Sequence, residues 1–408
     1  MDLRNLPEGT EASKRISERR RRIEKELGAD LNLLTIDAPR IESADERNCE
    51  QMFGAVPVPV GLAGPLLIHF SSGESVHVYL PLATTEGALV ASVNRGCKAL
   101  TQAGGVRVNS VYKGMTRSMA FEVESGKWKV ESESIRKLEK EWKAAAESTS
   151  SHLKVLSSEI DCKDDCLFLT IACDTDEAMG MNMVTIAAQA AGEFLSKKLD
   201  IPLLTVAANI DSDKKPSGRT KEKGRGHSVK AEATLSEAVI RDMLKAEPEA
   251  LLKTAHAKLE VGSEIAGTLG KNLHAANIIA ALYIATGQDA AHVVEGSLAD
   301  TSITSIQNEK TSKRANEQTN LRQIHSEITI HTSLPAILVG VRGGGTELPA
   351  QKQCLNLLLK HQTSLPKKTQ LAETIGAAVL AGEISLLAAQ ATNTLAKAHQ
   401  RHARNGSL

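Results

Sequence analysis

The chain has 408 residues, more than one hydrophobic core usually fills, so we expect two or more compact units. Its 49 lysine and arginine residues balance its 49 aspartate and glutamate residues, and a net charge of zero gives no long-range field that would favour nucleic acid or an anionic membrane. Aromatic residues make up only 2% of the chain, too few for base-stacking platforms or an aromatic membrane belt.

Cysteine usage and the N-terminus indicate the compartment. The six cysteines match neither a disulfide framework nor a tetrahedral metal spacing, and Cys162 and Cys166 have no second pair of ligands near them in sequence. We therefore expect a reducing compartment and no metal. The N-terminus lacks the apolar core of a signal peptide, and no segment approaches the ~20 uninterrupted apolar residues of a spanning helix. These features predict a cytoplasmic protein outside the membrane.

The first quarter of the chain combines a charged helix with a strand-rich region. Residues 11–27 predict a helix that Gly28 ends, and the glutamates around the four arginines at 19–22 indicate a solvated helix face rather than a nucleic-acid site. Residues 54–68 carry three prolines and three glycines among apolar residues, which predicts strand and loop. A helix of small residues is expected over 88–95.

The remaining elements predict an inserted unit and a buried helix. Strands at 119–123 and 166–172 alternate with helices at 134–147 and 182–198, which is typical of a small α+β unit inserted in a larger domain. Residues 273–286 are small or apolar around the whole helical circumference, so we expect a buried central helix ended by Gly287. An alanine-rich helix is expected over 370–402.

Three charged residues are candidates for chemistry at a carbonyl group. Lys214 lies in the crowded loop 213–216 (DKKP), where it could stabilise an oxyanion or be an ordinary solvated lysine. Glu86 precedes an apolar helix; burial there would raise its pKa and let it donate a proton, but an acid at a helix N-terminus gives the same pattern. Asp289 follows the buried helix, as a capping aspartate also would. If the three lie together, their titrations are coupled.

Two glycine-containing segments could approach a phosphate group. Residues 178–183 (AMGMNM) place a glycine at a helix start, although a methionine cluster also suits core packing. The glycine run 343–345 follows an apolar strand and precedes a helix, an arrangement that can bind phosphate through backbone amides. Neither segment has the G-x-G-x-x-G pattern, so a standard Rossmann unit is not supported.

His399 near the C-terminus is a candidate general acid. Histidines at a helix C-terminus commonly serve only as favourable partners of the helix dipole. However, chain ends are weakly ordered, and a mobile flap could carry an imidazole into and out of a site.

Taken together, these segments resemble one enzyme family over about residues 40–405. The chain resembles class I, biosynthetic 3-hydroxy-3-methylglutaryl-coenzyme A (HMG-CoA) reductase, as a catalytic portion without a membrane anchor. The ordered motifs that carry the resemblance are EQMFG (50–54), PVPVGLAGP (57–65), TTEG (84–87), NRGC (94–97), GMTR (114–117), AMGMNM (178–183), DKKP (213–216), GRG (224–226), HAAN (274–277), GQDAA (287–291) and GGGT (343–346).

The resemblance implies two successive hydride transfers from NADPH to the thioester of HMG-CoA, giving mevalonate and free coenzyme A. By the family pattern Lys214 holds the carbonyl oxygen, Glu86 protonates the aldehyde intermediate, Asp289 ties these two together and His399 protonates the departing thiolate. Substrate contacts are implied for Arg117, Asn209, Asp213, Lys215 and Asn277, coenzyme A contacts for Asn94 and Arg95, and cofactor contacts for Glu177, Met179, Gly180, Met181, Asn182, Gly343, Gly344, Gly345, Thr346 and Arg404.

The resemblance also implies an α+β architecture and an assembly. A large substrate domain (39–117 and 206–408) would be built round the long buried central helix, with a small ferredoxin-like NADP(H)-binding domain (118–205) inserted in it and a short helical N-terminal segment (1–38). The active site would lie between subunits of a homodimer or a dimer of dimers. Glu86 and Lys214 would come from one subunit and Asp289 from its neighbour.

Several positions depart from the family pattern. Glu177 stands where Asp is usual, Ala207 where Ser is common, and Glu347 where Asn is usual after the glycine run, which adds a negative charge near a pyrophosphate. The segment 148–152 (STSSH) lacks the arginine that would contact the 2′-phosphate of NADPH. Arg404 could supply that charge, so NADPH is expected and NADH is a competitor.

Two other classes of protein fit some of the same residues. A coenzyme A-binding protein or acyltransferase could use the glycine and arginine contacts without hydride transfer, and a non-catalytic oligomeric scaffold could use them for packing. Consumption of a nicotinamide cofactor that depends on HMG-CoA separates the reductase from both.

Overall fold

The computed structural model describes residues 11–27, 41, 44–308, 325–361 and 363–392. Within these ranges its strands are β1 (Val60–His69), β2 (Ser75–Ala83), β3 (Val106–Glu122), β4 (Lys154–Lys163), β5 (Cys166–Asp174), β6 (Leu203–Thr205), β7 (Gly226–Leu235), β8 (Asp300–Asn308) and β9 (His325–Ile337).

The α-helices in the described ranges vary from one turn to seven. They are α1 (Ala12–Leu27), α2 (Ala44–Arg47), α3 (Leu89–Gln102), α4 (Trp128–Lys137), α5 (Glu139–Glu147), α6 (Met181–Leu199), α7 (Gly218–Lys223), α8 (Glu237–Val239), α9 (Pro248–Ala255), α10 (Ser263–Ala266), α11 (Ala275–Thr286), α12 (Val293–Gly296), α13 (Pro349–Leu358) and α14 (Lys367–Ala391). Ile240–Leu244 and His256–Gly262 are π-helical, and Ala290–His292 and Gly344–Glu347 are 3₁₀ turns.

The strands form one mixed sheet. The order along its main path is β2-β1-β3-β7-β9-β8, and β5 and β6 pair with the second half of β3 while β4 extends from β5. The β1–β3 contact is parallel, whereas β3 pairs antiparallel with both β7 and β5. The architecture is therefore a mixture of helix and strand rather than a doubly wound parallel sheet.

Strand β3 belongs to two parts of the sheet. Its first half pairs with β7, with Val108 opposite Ala231, and its second half pairs with β5, with Arg117 opposite Ile171. The predicted domain boundary between residues 117 and 118 falls inside this 17-residue strand. One continuous strand thus joins the two halves, which limits their independent movement.

Two hydrophobic cores lie on either side of that junction. The larger core packs α3, α11 and α14 against the main sheet. The second core joins the end of β3 with β4, β5 and α6, and it contains the fully buried Trp142, whose indole nitrogen donates to the carbonyl of Ile135 at 3.1 Å. Ala336, at the end of β9, and Leu338, just beyond it, also pack into the second core.

The longest buried helix of the described chain is α14 rather than the predicted central helix α11. Twenty of its 25 residues are buried, including Glu373 and Glu383. Glu383 accepts hydrogen bonds from the backbone of Leu273 and His274 and from Thr301, so its carboxylate also fixes the start of α11. A polar group this deep is tolerated because donors from distant segments replace water.

Helix α14 is also the one helix of the described residues long and apolar enough to cross a membrane. Within its most apolar window, 94% of the residues are buried inside the protein. A helix surrounded on all sides by protein is a core helix, and its apolar composition follows from that position.

Several predicted elements are confirmed. Helix α1 spans Ala12–Leu27, and its Glu18 carboxylate accepts from Arg21 and Arg22 at 2.8 and 2.9 Å, which fits a solvated face. Helix α11 ends at Gly287, which has a φ of 71°. The prediction missed β4, because residues 154–163 form a half-exposed strand without a clean alternation of buried and exposed residues. It also treated α4 and α5 as one helix.

Candidate active site

An ion pair between Lys214 and Asp289 marks the candidate site. The Lys214 ammonium nitrogen lies 2.8 Å from Asp289 Oδ2, and the two side chains are 44% and 35% exposed. Asp289 caps the turn after α11 by accepting from the backbone of Ala291 at 3.0 Å. The ammonium is therefore held in one place and remains open to a ligand.

This pair corrects the subunit assignment implied by the resemblance. We expected Asp289 to come from the neighbouring subunit, but it belongs to the same chain as Lys214. The physical reason is that Glu295, which follows Asp289 closely in sequence, binds the Lys214 loop. The Glu295 carboxylate accepts from the backbone nitrogen of Lys214 at 2.8 Å and so holds the loop near Asp289. Lys214 itself has a φ of 57°, a strained conformation that this bond helps to hold.

A buried arginine supports the loop that carries Lys214. Arg225 is 1% exposed and donates from one nitrogen to Asp213 at 2.9 Å and to Glu295 at 2.7 Å. Arg117 lies 3.3 Å from Asp211 and 3.5 Å from Asp213. Burial opposes ionisation of Asp213, but the charge of Arg225 and its hydrogen bond hold the pKa of Asp213 below its ordinary value. The loop is thus fixed by ionised groups.

Three residues beneath the ion pair have a spacing that could surround a cation. Ligand atoms of Asp213, His292 and Glu295 all lie within 4.8 Å of one another. The guanidinium of Arg225 already contacts both carboxylates of this group. Among the described residues, the guanidinium of Arg225 therefore supplies the positive charge that a bound cation would otherwise bring to this cluster.

Glu86 does not join this cluster within the chain. The sequence left two interpretations open, a buried proton donor and an acid at a helix N-terminus, and Glu86 is exposed, ahead of the start of α3 at Leu89. Its backbone nitrogen is held by the Thr84 hydroxyl at 3.0 Å. Among the described residues its carboxylate makes no ion pair with Lys214.

The two glycine-containing motifs meet beside Asp289. The backbone nitrogen of Val341 donates to the carbonyl of Glu177 at 2.8 Å, and a Cβ added to Gly340 would lie 2.2 Å from the nitrogen of Met179. The side-chain amide of Gln288 bonds both backbone groups of Gly340, at 2.9 and 3.0 Å. We call this junction of residues 177–182, 287–288 and 340–346 the glycine cradle.

The surface of the glycine cradle is open backbone. Gly343 and Gly344 are exposed with φ of 78° and 58°, and a Cβ added to either would meet nothing within 4 Å among the described residues. The Thr346 side chain is buried and its hydroxyl donates to the carbonyl of Gly343 at 2.8 Å. Gly180, with a φ of 87°, begins helix α6, and Asn182 is exposed in its first turn. Exposed glycine backbone and a helix N-terminus suit an anionic group.

Four predicted ligand-binding residues make internal contacts instead. The Glu177 carboxylate accepts from the first backbone nitrogens of α14, Lys367 and Lys368, at 3.0 and 2.9 Å. Met181 is buried, and its sulfur accepts from Arg225 at 3.0 Å.

Asn94 and Arg95 are the other two. Asn94 accepts from the backbone of Gly64 at 3.0 Å, and Arg95 donates to the hydroxyl and carbonyl of Ser385 on α14. These contacts give each of the four side chains a partner within the protein, as is usual for polar atoms inside a folded chain.

Of the remaining predicted substrate residues, Asn209 and Lys215 belong to the segment that carries Lys214. Asn209 is exposed with a φ of 63°, and Lys215 is exposed with its ammonium 3.1 Å from the carbonyl of Asp213. Asn277 is half-buried in the first turn of α11. His399 and Arg404 lie outside the described residues.

The sequence alone gave no role to three residues of this cluster and its surroundings: Arg225, His292 and Glu295. The glycines flanking Arg225 marked a motif, and His292 and Glu295 follow Asp289 at intervals of three residues. A helical spacing of three places polar side chains on one face, and that signal could have identified the group.

Comparison with known proteins identifies the family. Residues 15–404 match the family model of hydroxymethylglutaryl-coenzyme A reductase. The chain is 39% identical over 396 residues to the 3-hydroxy-3-methylglutaryl-coenzyme A reductase of Methanocaldococcus jannaschii, covering 95% of this chain and 92% of that protein. It is 38% identical over 373 residues to 3-hydroxy-3-methylglutaryl-coenzyme A reductase 2 of Dictyostelium discoideum, covering 87% of this chain and 65% of that protein.

The fold matches as well. The class II 3-hydroxy-3-methylglutaryl-CoA reductase of Streptococcus pneumoniae bound to NADPH superimposes with a TM-score of 0.65 at 19% identity, covering 91% of this chain and 96% of that chain. The chain belongs to the hydroxymethylglutaryl-coenzyme A reductase family.

Proposed function

We propose that this protein reduces (S)-HMG-CoA to (R)-mevalonate and free coenzyme A, the mevalonate-forming step of isoprenoid biosynthesis. The ion pair of Lys214 with Asp289 carries the proposal, because it places a charged, accessible ammonium beside the glycine cradle. A fixed ammonium is the group that a carbonyl reduction needs, since the thioester oxygen gains negative charge as hydride arrives.

Lys214 would bind the substrate oxygen, and Asp289 would keep Lys214 charged and oriented. Burial opposes ionisation of Asp289, but its hydrogen bonds from Lys214 and Ala291 hold its pKa below the ordinary value. Asp289 is therefore ionised at neutral pH. Arg117, Asn209, Asp213, Lys215 and Asn277 would orient the substrate around it, with Asn94 and Arg95 supporting the coenzyme A side from within.

The glycine cradle fits NADPH, which when bound supplies two hydrides in succession. Its exposed glycines and the start of α6 offer backbone donors for phosphate, and Met179, Gly180, Asn182 and residues 343–346 would hold the cofactor. Glu347, the departure that adds negative charge there, is paired with Lys352 at 2.7 Å, which offsets its effect on a pyrophosphate. Arg404 would contact the 2′-phosphate, and NADH remains the competitor.

Glu86 would reach the site from a second copy of the chain. It is exposed at the end of a strand pair that also exposes Val60 and Leu62, and neighbouring exposed apolar side chains suit a surface between copies. We therefore propose a homodimer, or a dimer of dimers, in which Lys214 and Asp289 of one subunit face Glu86 of its partner, the proton donor to the aldehyde intermediate. His399 would protonate the departing thiolate.

We further propose the biosynthetic class I form, a cytoplasmic location and a two-domain architecture. The order and spacing of the sequence motifs, from EQMFG (50–54) to GGGT (343–346), support class I. The second hydrophobic core supports a small ferredoxin-like cofactor domain at 118–205, inserted between the two parts of the large domain at 39–117 and 206–408.

The test is HMG-CoA-dependent oxidation of NADPH by the purified protein. We expect loss of nicotinamide absorbance only when HMG-CoA is present, with two NADPH consumed for each mevalonate formed, and faster initial rates with NADPH than with NADH. Binding of coenzyme A esters without loss of absorbance with either nicotinamide would support a coenzyme A-binding protein instead.

A further inference from the structure

We infer that His292 is a positioning residue of this site, a charged imidazolium that holds Asp289 in place when Lys214 transfers its hydrogen bond to the substrate. The inference rests on the proposed function and deepens it. It starts from a side chain that neither the motifs nor the proposed roles use.

The geometry places the His292 ring between two carboxylates. The ring is 0% exposed, and its Nδ1 lies 3.3 Å from both oxygens of Glu295. Its Nε2 lies 3.7 Å from Asp289 Oδ2 and has no hydrogen-bond partner among the described residues. A buried ring nitrogen without a partner is unfavourable, so this atom is poised for an acceptor that moves by a fraction of an ångström.

Asp289 Oδ2 is that acceptor. In the structure this same oxygen binds the Lys214 ammonium at 2.8 Å. When the ammonium turns towards a substrate oxygen, Oδ2 loses part of its partner, and the Nε2–H of His292 is the nearest group that can replace it. The exchange would keep Asp289 ionised and in place while Lys214 acts on the substrate.

The charges around the ring favour the protonated form. Within the described part of the chain, the charged groups facing the ring and its partners are four carboxylates, Asp211, Asp213, Asp289 and Glu295, against three cations, Arg117, Lys214 and Arg225. Tyr283 on α11 is neutral, because burial raises the pKa of its hydroxyl. One more positive charge balances the cluster, and an imidazolium between Glu295 and Asp289 supplies it.

A proton on Asp211 is the competing way to balance the cluster. Burial raises the pKa of Asp211 despite the opposing charges of Arg225 and Arg117, and one of its oxygens has no partner among the described residues. With Asp211 protonated, His292 would be neutral and could donate to one carboxylate but not to both. The charge of the His292 ring therefore distinguishes the arrangement with a proton on His292 from the arrangement with a proton on Asp211.

Two substitutions separate the two ring nitrogens. In His292→Gln the side-chain amide can reach the position of Nε2 and still donate to Asp289, whereas in His292→Asn it reaches only the position of Nδ1. We expect His292→Asn to lower kcat with HMG-CoA by ~10–100-fold with KM changed little, and His292→Gln to recover most of that loss. His256→Gln, an exposed histidine paired with Glu260, is the matched control and should leave kcat unchanged.

Nitrogen NMR of histidine-labelled protein gives a second measurement that needs no activity. The His292 signals are assigned by their absence in His292→Gln, and we expect the shifts of both ring nitrogens to be those of an imidazolium at neutral pH. A neutral ring would overturn the inference, and so would equal kcat losses in the Asn and Gln variants or an unchanged kcat in His292→Asn. If the wild-type protein does not oxidise NADPH with HMG-CoA, the proposed function fails, while the NMR result still decides the charge of His292.

Discussion

Gly287 and Gly345 lie backbone against backbone. A Cβ added to Gly287 would fall 2.2 Å from the carbonyl oxygen of Gly345, and one added to Gly345 would fall 2.6 Å from that of Gly287. Gly287 ends α11 two residues before Asp289, and Gly345 belongs to the glycine cradle. The carboxylate that holds Lys214 and the turn proposed for the cofactor are therefore placed by a single contact.

This contact predicts that Gly287→Ala perturbs both parts of the site. The new methyl group would collide with Gly345 and occupy a φ of 71°, so we expect a loss of about 2 kcal/mol or more in stability. The KM for NADPH should rise as the cradle moves. The control is Gly218→Ala, at an open position in the first turn of α7, where stability should hold or increase slightly. Equal NADPH KM values for Gly287→Ala and wild type would contradict the coupling.

Removing either member of the Lys214–Asp289 pair should abolish most of the activity. We expect Lys214→Gln to lower kcat by ~10²–10³-fold or more, because the developing oxyanion loses its fixed positive charge. Asp289→Asn should lower kcat by a similar factor since it leaves the ammonium unpaired. Lys253→Gln, an exposed lysine paired with Glu249, is the control. The measurement is the steady-state rate of each variant whose thermal stability is unchanged. A normal kcat for Lys214→Gln would show that Lys214 has no catalytic role.

Subunit mixing tests whether Glu86 acts across an interface. Glu86→Gln and Lys214→Gln are each expected to be inactive as homo-oligomers. After unfolding and refolding together, half of the randomly formed dimers pair one variant with the other, and one of their two sites is intact. We expect recovery of about a quarter of the wild-type activity per subunit on this symmetry argument. If the mixture stays inactive while a wild-type mixture recovers, the two residues act within one chain.

His227 should make stability depend on pH. It is 1% exposed beside Tyr112 and Thr369, and burial together with the charge of Lys368 lowers its pKa to about 3. The unfolded chain binds a proton near pH 6.5 and the folded chain does not, so the stabilisation is complete above that pH and falls as the pH decreases towards 3.

Denaturant unfolding at several pH values measures this effect. Between about pH 6 and pH 4.5 the wild type should lose up to ~1.4 kcal/mol per pH unit more than His227→Gln, which cannot titrate. The lowered pKa values of Asp213 and Asp289 affect both proteins equally at more acidic pH and cancel in the difference. Parallel stability curves for the two proteins would mean that His227 is protonated in the folded state.

The C-terminal histidine is tested by comparing two substrates. His399→Gln, or removal of the chain from residue 397, should suppress reduction of HMG-CoA far more than reduction of mevaldehyde, because only the thioester releases a thiolate that needs a proton. Wild-type protein assayed with both substrates is the reference. Equal losses with the two substrates would assign the tail a role other than protonating the thiolate.

Local patterns in the sequence determined the elements that depend on nearby residues. The apolar circumference and Gly287 predicted α11 with its end, and the charged segment predicted α1, because helix period and capping act over a few residues. The motif order identified the family, and DKKP and GQDAA marked Lys214 and Asp289 as a candidate pair. These predictions required no knowledge of which segments meet in space.

The tertiary structure decided what depends on long-range contacts. Only the structure showed that Asp289 pairs with Lys214 of the same chain and that α14 is buried with its two carboxyl groups. It also showed that β3 is one strand shared by two cores and that Glu177 caps α14 from 190 residues away. It also left Glu86 exposed and brought His292 against Asp289. Side chains of one type can cap, pair or catalyse, and only the partners that the fold brings to them select among these roles.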